Sequence, residues 1–162
     1  MFLFRKSPVI LALIVCFLFL GCSDEPEKIN VTALNGTWST QYDGYTINSS
    51  NNTLEYDDGG YDAGFAGSIE GISLFTAGGS DGVIYIKYTA KPTDFNTGTQ
   101  PDGNFSAVYF RSLTSNTVEF ANVTEGSPVV TSTATSLNNA KAKYNVDTVG
   151  IYVTYWGAYS KQ

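Results

Sequence analysis

The chain has no histidine and only two cysteines, Cys16 and Cys22, both near its start. Without histidine there is no Ser-His-Asp triad, no imidazole ligand for zinc and no His-held haem. With no cysteine after position 22, the rest of the chain carries no disulfide, no thiol nucleophile and no thiolate metal site. Basic residues are also few, 9 against 15 acidic ones, for a net charge of −6. A surface of that sign repels nucleic acid and anionic lipid headgroups, so neither is expected as a partner. What remains is the chemistry of carboxylate, tyrosine and lysine.

Tyrosine and glycine are plentiful instead, at 11 and 16 residues. Together with Phe, Thr and Asn, and little Leu or Glu, they make a strand-and-turn composition. Long apolar runs are otherwise missing, and the one exception is informative. It goes from Val9 to Leu20, behind the basic Arg5 and Lys6 and just ahead of Gly21-Cys22. A basic head and an apolar core too short for a stable span describe a secretory signal.

The cysteine directly after Gly21 makes residues 1–21 resemble the signal peptide of bacterial lipoproteins, with its lipobox. Phe19 and Leu20 stand where that family favours Leu and a small residue. The resemblance implies cleavage before Cys22, acylation of its thiol by chains such as palmitate, and attachment to a membrane of the bacterial envelope. Ser23, rather than Asp, after the cysteine implies the outer membrane by the sorting rule of enteric lipoproteins. Multiple acyl chains hold a protein firmly where one holds it only marginally. Residues 22–33, polar from Ser23-Asp24-Glu25 onward, read as a lipidated tether. Residues 34–162 read as one domain, long enough for a real hydrophobic core. Loss of the leader removes Arg5 and Lys6 and leaves residues 22–162 more acidic than the whole chain.

From Leu34 onward, short segments alternate apolar and polar residues and are separated by Gly, Asn, Asp and Pro. This predicts antiparallel strands with one buried face. Residues 37–41 and 44–48 form one bent strand or a hairpin, and residues 53–56 return after Ser49-Ser50-Asn51-Asn52. Residues 61–74 read as one long bulged strand, because Gly64, Gly67 and Gly71 punctuate it. The clearest strand is 83–89, and the longest loop is 91–103. Residues 105–112 and 117–123 form a hairpin, with Val108, Phe110, Val118 and Phe120 inward and Arg111 and Glu119 outward. Residues 133–144 break the pattern. Ala134, Leu137, Ala140 and Tyr144 recur at helical spacing, with Lys141 and Lys143 near the negative end of the helix dipole. Residues 150–159 read as a last strand.

Gly36-Thr37-Trp38 at the head of the first strand resembles the G-x-W signature of the calycins, the lipocalin-like barrels. The order of about seven or eight strands, one helix and a final strand extends that likeness over most of residues 34–162. The resemblance implies an all-β, mainly antiparallel barrel with one C-terminal helix, in which Trp38 is a structural plug. The family's late arginine, which packs on that tryptophan, has no counterpart in this sequence. A β-sandwich or rolled sheet is the alternative fold.

The densest carboxylates, Asp57, Asp58 and Asp62, with Asp43 and Glu55 near them in sequence, are weak metal candidates. Calcium wants six to eight oxygens, and here neither the EF-hand order nor its closing Glu is present. Asp-Gly turns also carry such residues for backbone reasons. A carboxylate pair for glycoside hydrolysis is the remaining enzymatic alternative, with no cleft to support it. Gly78-Gly79-Ser80-Asp81-Gly82 lacks the Lys-Ser/Thr of a phosphate loop and reads as a flexible connection. The tyrosines and Trp156 either line a pocket or adhesive face or fill a core. No catalytic residue and no cofactor are expected. The expectation is a membrane-anchored, non-catalytic binding protein for a small apolar ligand or an envelope or host macromolecule. A structural envelope protein without a soluble ligand is the competing class. An open barrel interior favours the small ligand, and a filled one the macromolecule.

Overall fold

Alternation of apolar and polar residues closes this chain into a barrel. The computed structural model describes residues 31–60, 64–90, 93–94, 98–99, 104–125 and 130–162. The leader, Cys22 and Asp62 lie outside these residues. The strands are β1 (Gly36–Ser39), β2 (Gly44–Asn48), β3 (Thr53–Asp57), β4 (Phe65–Leu74), β5 (Gly82–Ala90), β6 (Thr93–Asp94), β7 (Gly98–Thr99), β8 (Phe105–Arg111), β9 (Thr117–Asn122), β10 (Thr124–Glu125), β11 (Val130–Thr131) and β12 (Gly157–Lys161). Eight of them close a barrel in the order β1-β12-β9-β8-β5-β4-β3-β2, while β6–β7 and β10–β11 form separate two-stranded pairs. Every barrel pairing is antiparallel, and closure comes from Trp38 opposite Lys161 and Ser39 opposite Ser160. The barrel is the expected fold, and the sandwich alternative is not adopted. Closure leaves none of the eight strands with a free edge.

One end of the barrel, its base, carries the β1–β2 turn at 40–43, the ends of β3, β5 and β9, and the starts of β4, β8 and β12. The chain enters at the other end, where Leu34 precedes β1. Inward residues Trp38, Tyr45, Ile47, Leu54, Ile84 and Phe120 belong to one core that fills the barrel. Val83, Tyr85, Ala107, Tyr109 and Ala121 point outward into a second core, closed by Ala140 and Tyr144 of the C-terminal helical segment. Val83-Ile84-Tyr85-Ile86 is therefore buried on both faces, which is why this segment is an unbroken apolar run. The 61–74 prediction is met by β4 from Phe65 onward, with register shifts at Ala66/Gly67 and Ile69/Gly71.

Two predicted elements change. The helix occupies Leu137–Lys143, shorter than 133–144, because Ala134 pairs with Phe105 in an isolated bridge and Ser136 caps the helix through Asn139 N. The expected strand over 150–159 is a strand only from Gly157. Asn145 and Thr148 cap each other's backbone in a reciprocal box, which starts a short 3-10 turn, and Val149–Tyr152 continues it as a single helical turn. The alternation of Ile151, Val153 and Tyr155 imitates a strand, yet Ile151 and Tyr155 are 66% and 78% exposed.

Candidate functional site

Trp38 is fully buried, and its indole N–H donates to the Leu34 carbonyl at 2.7 Å. The Lys161 ammonium lies 5.0 Å from the centre of its ring. A lysine on the last strand thus sits over the tryptophan, a position that no arginine in the sequence could fill. From Trp38 a chain of rings runs along the interior. Phe120 meets Trp38 edge-on at 6.3 Å, and Tyr45 lies 4.6 Å from both Phe120 and Tyr56. Tyr56 then contacts Phe65 at 5.4 Å, and Phe65 contacts Tyr88 at 5.6 Å. The rings leave no room for a chain-like ligand along this path.

At the base the rings end in hydroxyls, and these converge on Asp43. Tyr159 donates to Asp43 Oδ2 at 2.7 Å and Tyr56 to the same oxygen at 3.0 Å, while Thr40 donates to Oδ1. Gly157 makes this possible: a Cβ there would stand 2.7 Å from the Tyr159 ring. Tyr45 donates to Asn122 Oδ1 at 2.8 Å. Burial, together with the charge of Asp43, raises the Tyr56 and Tyr159 hydroxyls well above their ordinary range. Burial, followed by the neighbouring phenols, does the same at Tyr45. Burial pushes Tyr88 up to about 12. All four remain neutral at neutral pH and are unsuited to act as bases.

Beside this network the base opens into a pocket of about 160 Å3 lined by Tyr56, Phe65, Tyr88, Ser106, Asn122 and Thr124. Among the described residues, larger hollows lie elsewhere. One, of about 340 Å3, lies along polar β1–β3 residues such as Ser39, Thr46 and Glu55. Another, of about 540 Å3, lies among the loops at the entry end.

Among the sequence candidates, Asp57 and Asp58 each accept the backbone N–H two residues ahead, Gly59 and Gly60, as turn residues do. Asp62 lies outside the described residues. Among the described residues no three His, Cys, Asp or Glu side chains gather to hold a metal. Sequence reasoning named Asp43 only as a neighbour of that acidic turn, and it missed Asn122. The Tyr159–Asp43 bond spans 116 residues and the Tyr45–Asn122 bond 77, so no local pattern announces either.

No family model matches the chain, and no curated protein does. Among solved structures, Tp0751 (pallilysin) of Treponema pallidum is similar, with a TM-score of 0.48 and 8% identity over 96% of this chain and 99% of that one. What this chain shows by its own strand order is a closed, eight-stranded antiparallel barrel with a C-terminal helix.

Proposed function

We propose that this is a lipid-anchored, non-catalytic binding protein of the bacterial envelope that meets a protein partner at the base of its barrel. The observation that carries this reading is the filled interior: the ring series from Trp38 to Tyr88 occupies the space where a carrier would hold its cargo. Ligand sites for drug-sized molecules take about 300–1,000 Å3, more than the base pocket offers. The lack of histidine and free thiol, and the neutral state of the base tyrosines, support the absence of catalysis. Leu34 precedes β1 at the end opposite the base, so the base is the end remote from the point where the tether joins the barrel. Tyr42, 71% exposed in the β1–β2 turn, adds an aromatic to that end.

The full chain purified from membranes should give no saturable one-to-one signal with a fluorescent fatty acid such as cis-parinaric acid. Stoichiometric uptake would return the protein to the carrier class. Cys22→Ala should free the protein from membranes or leave an unprocessed precursor. A variant cut at the same bond that stays membrane-bound would remove the anchor from the reading.

A further inference from the structure

We propose that the base pocket is an anchor point for one aromatic side chain, Phe or Tyr, of a partner protein. This rests on the reading of the chain as a surface-binding protein and names the chemistry it recognises. The first argument is size. At about 160 Å3 the pocket matches the roughly 150 Å3 cavity that takes one benzene ring, and it is too small for an acyl chain. The second is depth. Behind Tyr56 the interior is closed by Tyr45, Phe120 and Tyr159, mutually 4.6–5.6 Å apart, so whatever enters must remain attached to something outside the mouth. A side chain on a polypeptide meets that condition.

The third argument is the wall. Tyr56 and Phe65 lie tilted at 41°, and Phe65 and Tyr88 edge-on at 73°, a herringbone that one more ring extends in the arrangement aromatic pairs prefer. Among the described residues no charged side chain lines the pocket, and the side chains that do line it would not compensate a charged guest for its lost hydration. The fourth is the tally of protons. Tyr56 donates to Asp43, and Ser106 donates to the Ser132 carbonyl at 3.0 Å. The Asn122 carboxamide oxygen is taken by Tyr45, which leaves its Nδ2 as an uncommitted donor at the rim, placed for a peptide carbonyl or a phenol oxygen of the guest. Aromatic residues seated in desolvated pockets are the usual energetic centres of interfaces.

The test uses the full chain, 15N-labelled, in detergent. The reporter is the side-chain NH2 pair of Asn122, assigned by its loss in Asn122→Asp. Two probes are titrated: p-cresol, the free ring, and N-acetyl-tyrosinamide, the ring attached to peptide bonds. Both should shift the reporter with a dissociation constant on the order of 1 mM. Phe65→Trp, which narrows the pocket while keeping an aromatic wall, should weaken both probes about tenfold with an unchanged circular dichroism spectrum. Asn122→Asp keeps the acceptor for Tyr45 and loses the donor, so saturation-transfer difference spectra of the probes' ring protons should show both bound about fivefold more weakly. Shifts from p-cresol alone would assign the pocket to a free small aromatic and overturn the side-chain proposal. Shifts from neither probe, or shifts indifferent to Phe65→Trp, would overturn the site altogether. The fatty-acid titration concerns the interior above the pocket, so either result can fail without the other.

Discussion

β5 and β8 have two buried faces, and the two faces are built differently. The inner face contributes Ile84, Ile86, Val108 and Phe110 to a core shared by all eight barrel strands. The outer face contributes Val83, Tyr85, Ala107 and Tyr109 to a core covered by one segment of the chain, from the helix Leu137–Lys143 to Trp156. Tyrosine serves both, with different partners for its hydroxyl. Inside, Tyr45, Tyr56 and Tyr159 end on the side chains of Asn122 and Asp43. Outside, Tyr85 donates to the Tyr144 carbonyl at 2.8 Å and Tyr109 to the Asn145 carbonyl at 3.1 Å. The Tyr144 carbonyl belongs to the C-cap of the helix, where acceptors have no intrahelical donor, and the Asn145 carbonyl opens the following 3-10 turn. The barrel thus donates to the backbone just past the helix, beside the bond from Asn145 Nδ2 to the Ala142 carbonyl and those from Thr148 to the Asn145 carbonyl. The inner face is held mainly by ring packing over long sequence separations, and the cover by ring packing plus two directed hydrogen bonds.

The largest effect should come from the inner face. Trp38→Ala removes a wholly buried indole that contacts Phe120 and carries Lys161 on its ring. Such truncations cost about 3–5 kcal/mol, a large part of the roughly 5–15 kcal/mol that holds a domain folded. The melting temperature should fall by about 10 °C or more, in a single transition that takes both cores with it. An unchanged melting temperature would show that Trp38 lies outside the unit that melts, and the description of a single filled interior would be wrong.

Tyr85→Phe should have an intermediate effect and a local one. It keeps the ring and removes the hydroxyl that donates to the Tyr144 carbonyl, at a cost of about 0.5–1.5 kcal/mol. Hydrogen exchange should quicken at the amides of Ala140 and Tyr144 while Ile84 and Val108 keep their protection. Equal acceleration in both groups would mean that the cover and the barrel open together, and the contrast between the two faces would be lost.

The parts of this architecture that were legible in the sequence are those set by neighbours in the chain. Val108, Phe110, Val118 and Phe120 announce their shared face because strand periodicity is local, and Gly36-Thr37-Trp38 marks the start of β1. The stretch after the helix was misread because Ile151, Val153 and Tyr155 alternate like a strand. The capping of Asn145 by Thr148, which decides the matter, looks in sequence like an ordinary polar turn. The base was not legible as a site. Asp43 stood out less than the Asp57-Asp58 pair, although those two carboxylates cap their own turn. Its importance comes from two hydroxyls on β3 and β12 that only barrel closure brings to one oxygen.

The smallest effect belongs to a contact at the exposed margin of the outer core. The Arg111 guanidinium pairs with Glu119 at 2.6 Å and lies 4.2 Å from the centre of the Trp156 ring. It joins β8 and β9 to the segment that leads from the cover into β12, so in position it links the two regions. Its energy should still be small. The side chains are 45% and 32% exposed, and an ion pair in that setting contributes about 0–1 kcal/mol. The stacking on an indole adds about 0.5–1 kcal/mol. Arg111→Gln should therefore lower the melting temperature by no more than about 8 °C. A double-mutant cycle with Glu119→Gln separates the two contributions. The part shared with Glu119 should shrink as salt is raised toward 1 M, where the screening length is about 3 Å, while the part owed to Trp156 persists. A loss above about 2 kcal/mol would exceed what two exposed contacts can supply. It would mean that the two cores are mechanically joined through Arg111, and the distinction between an independent barrel and its fastened cover would have to be given up.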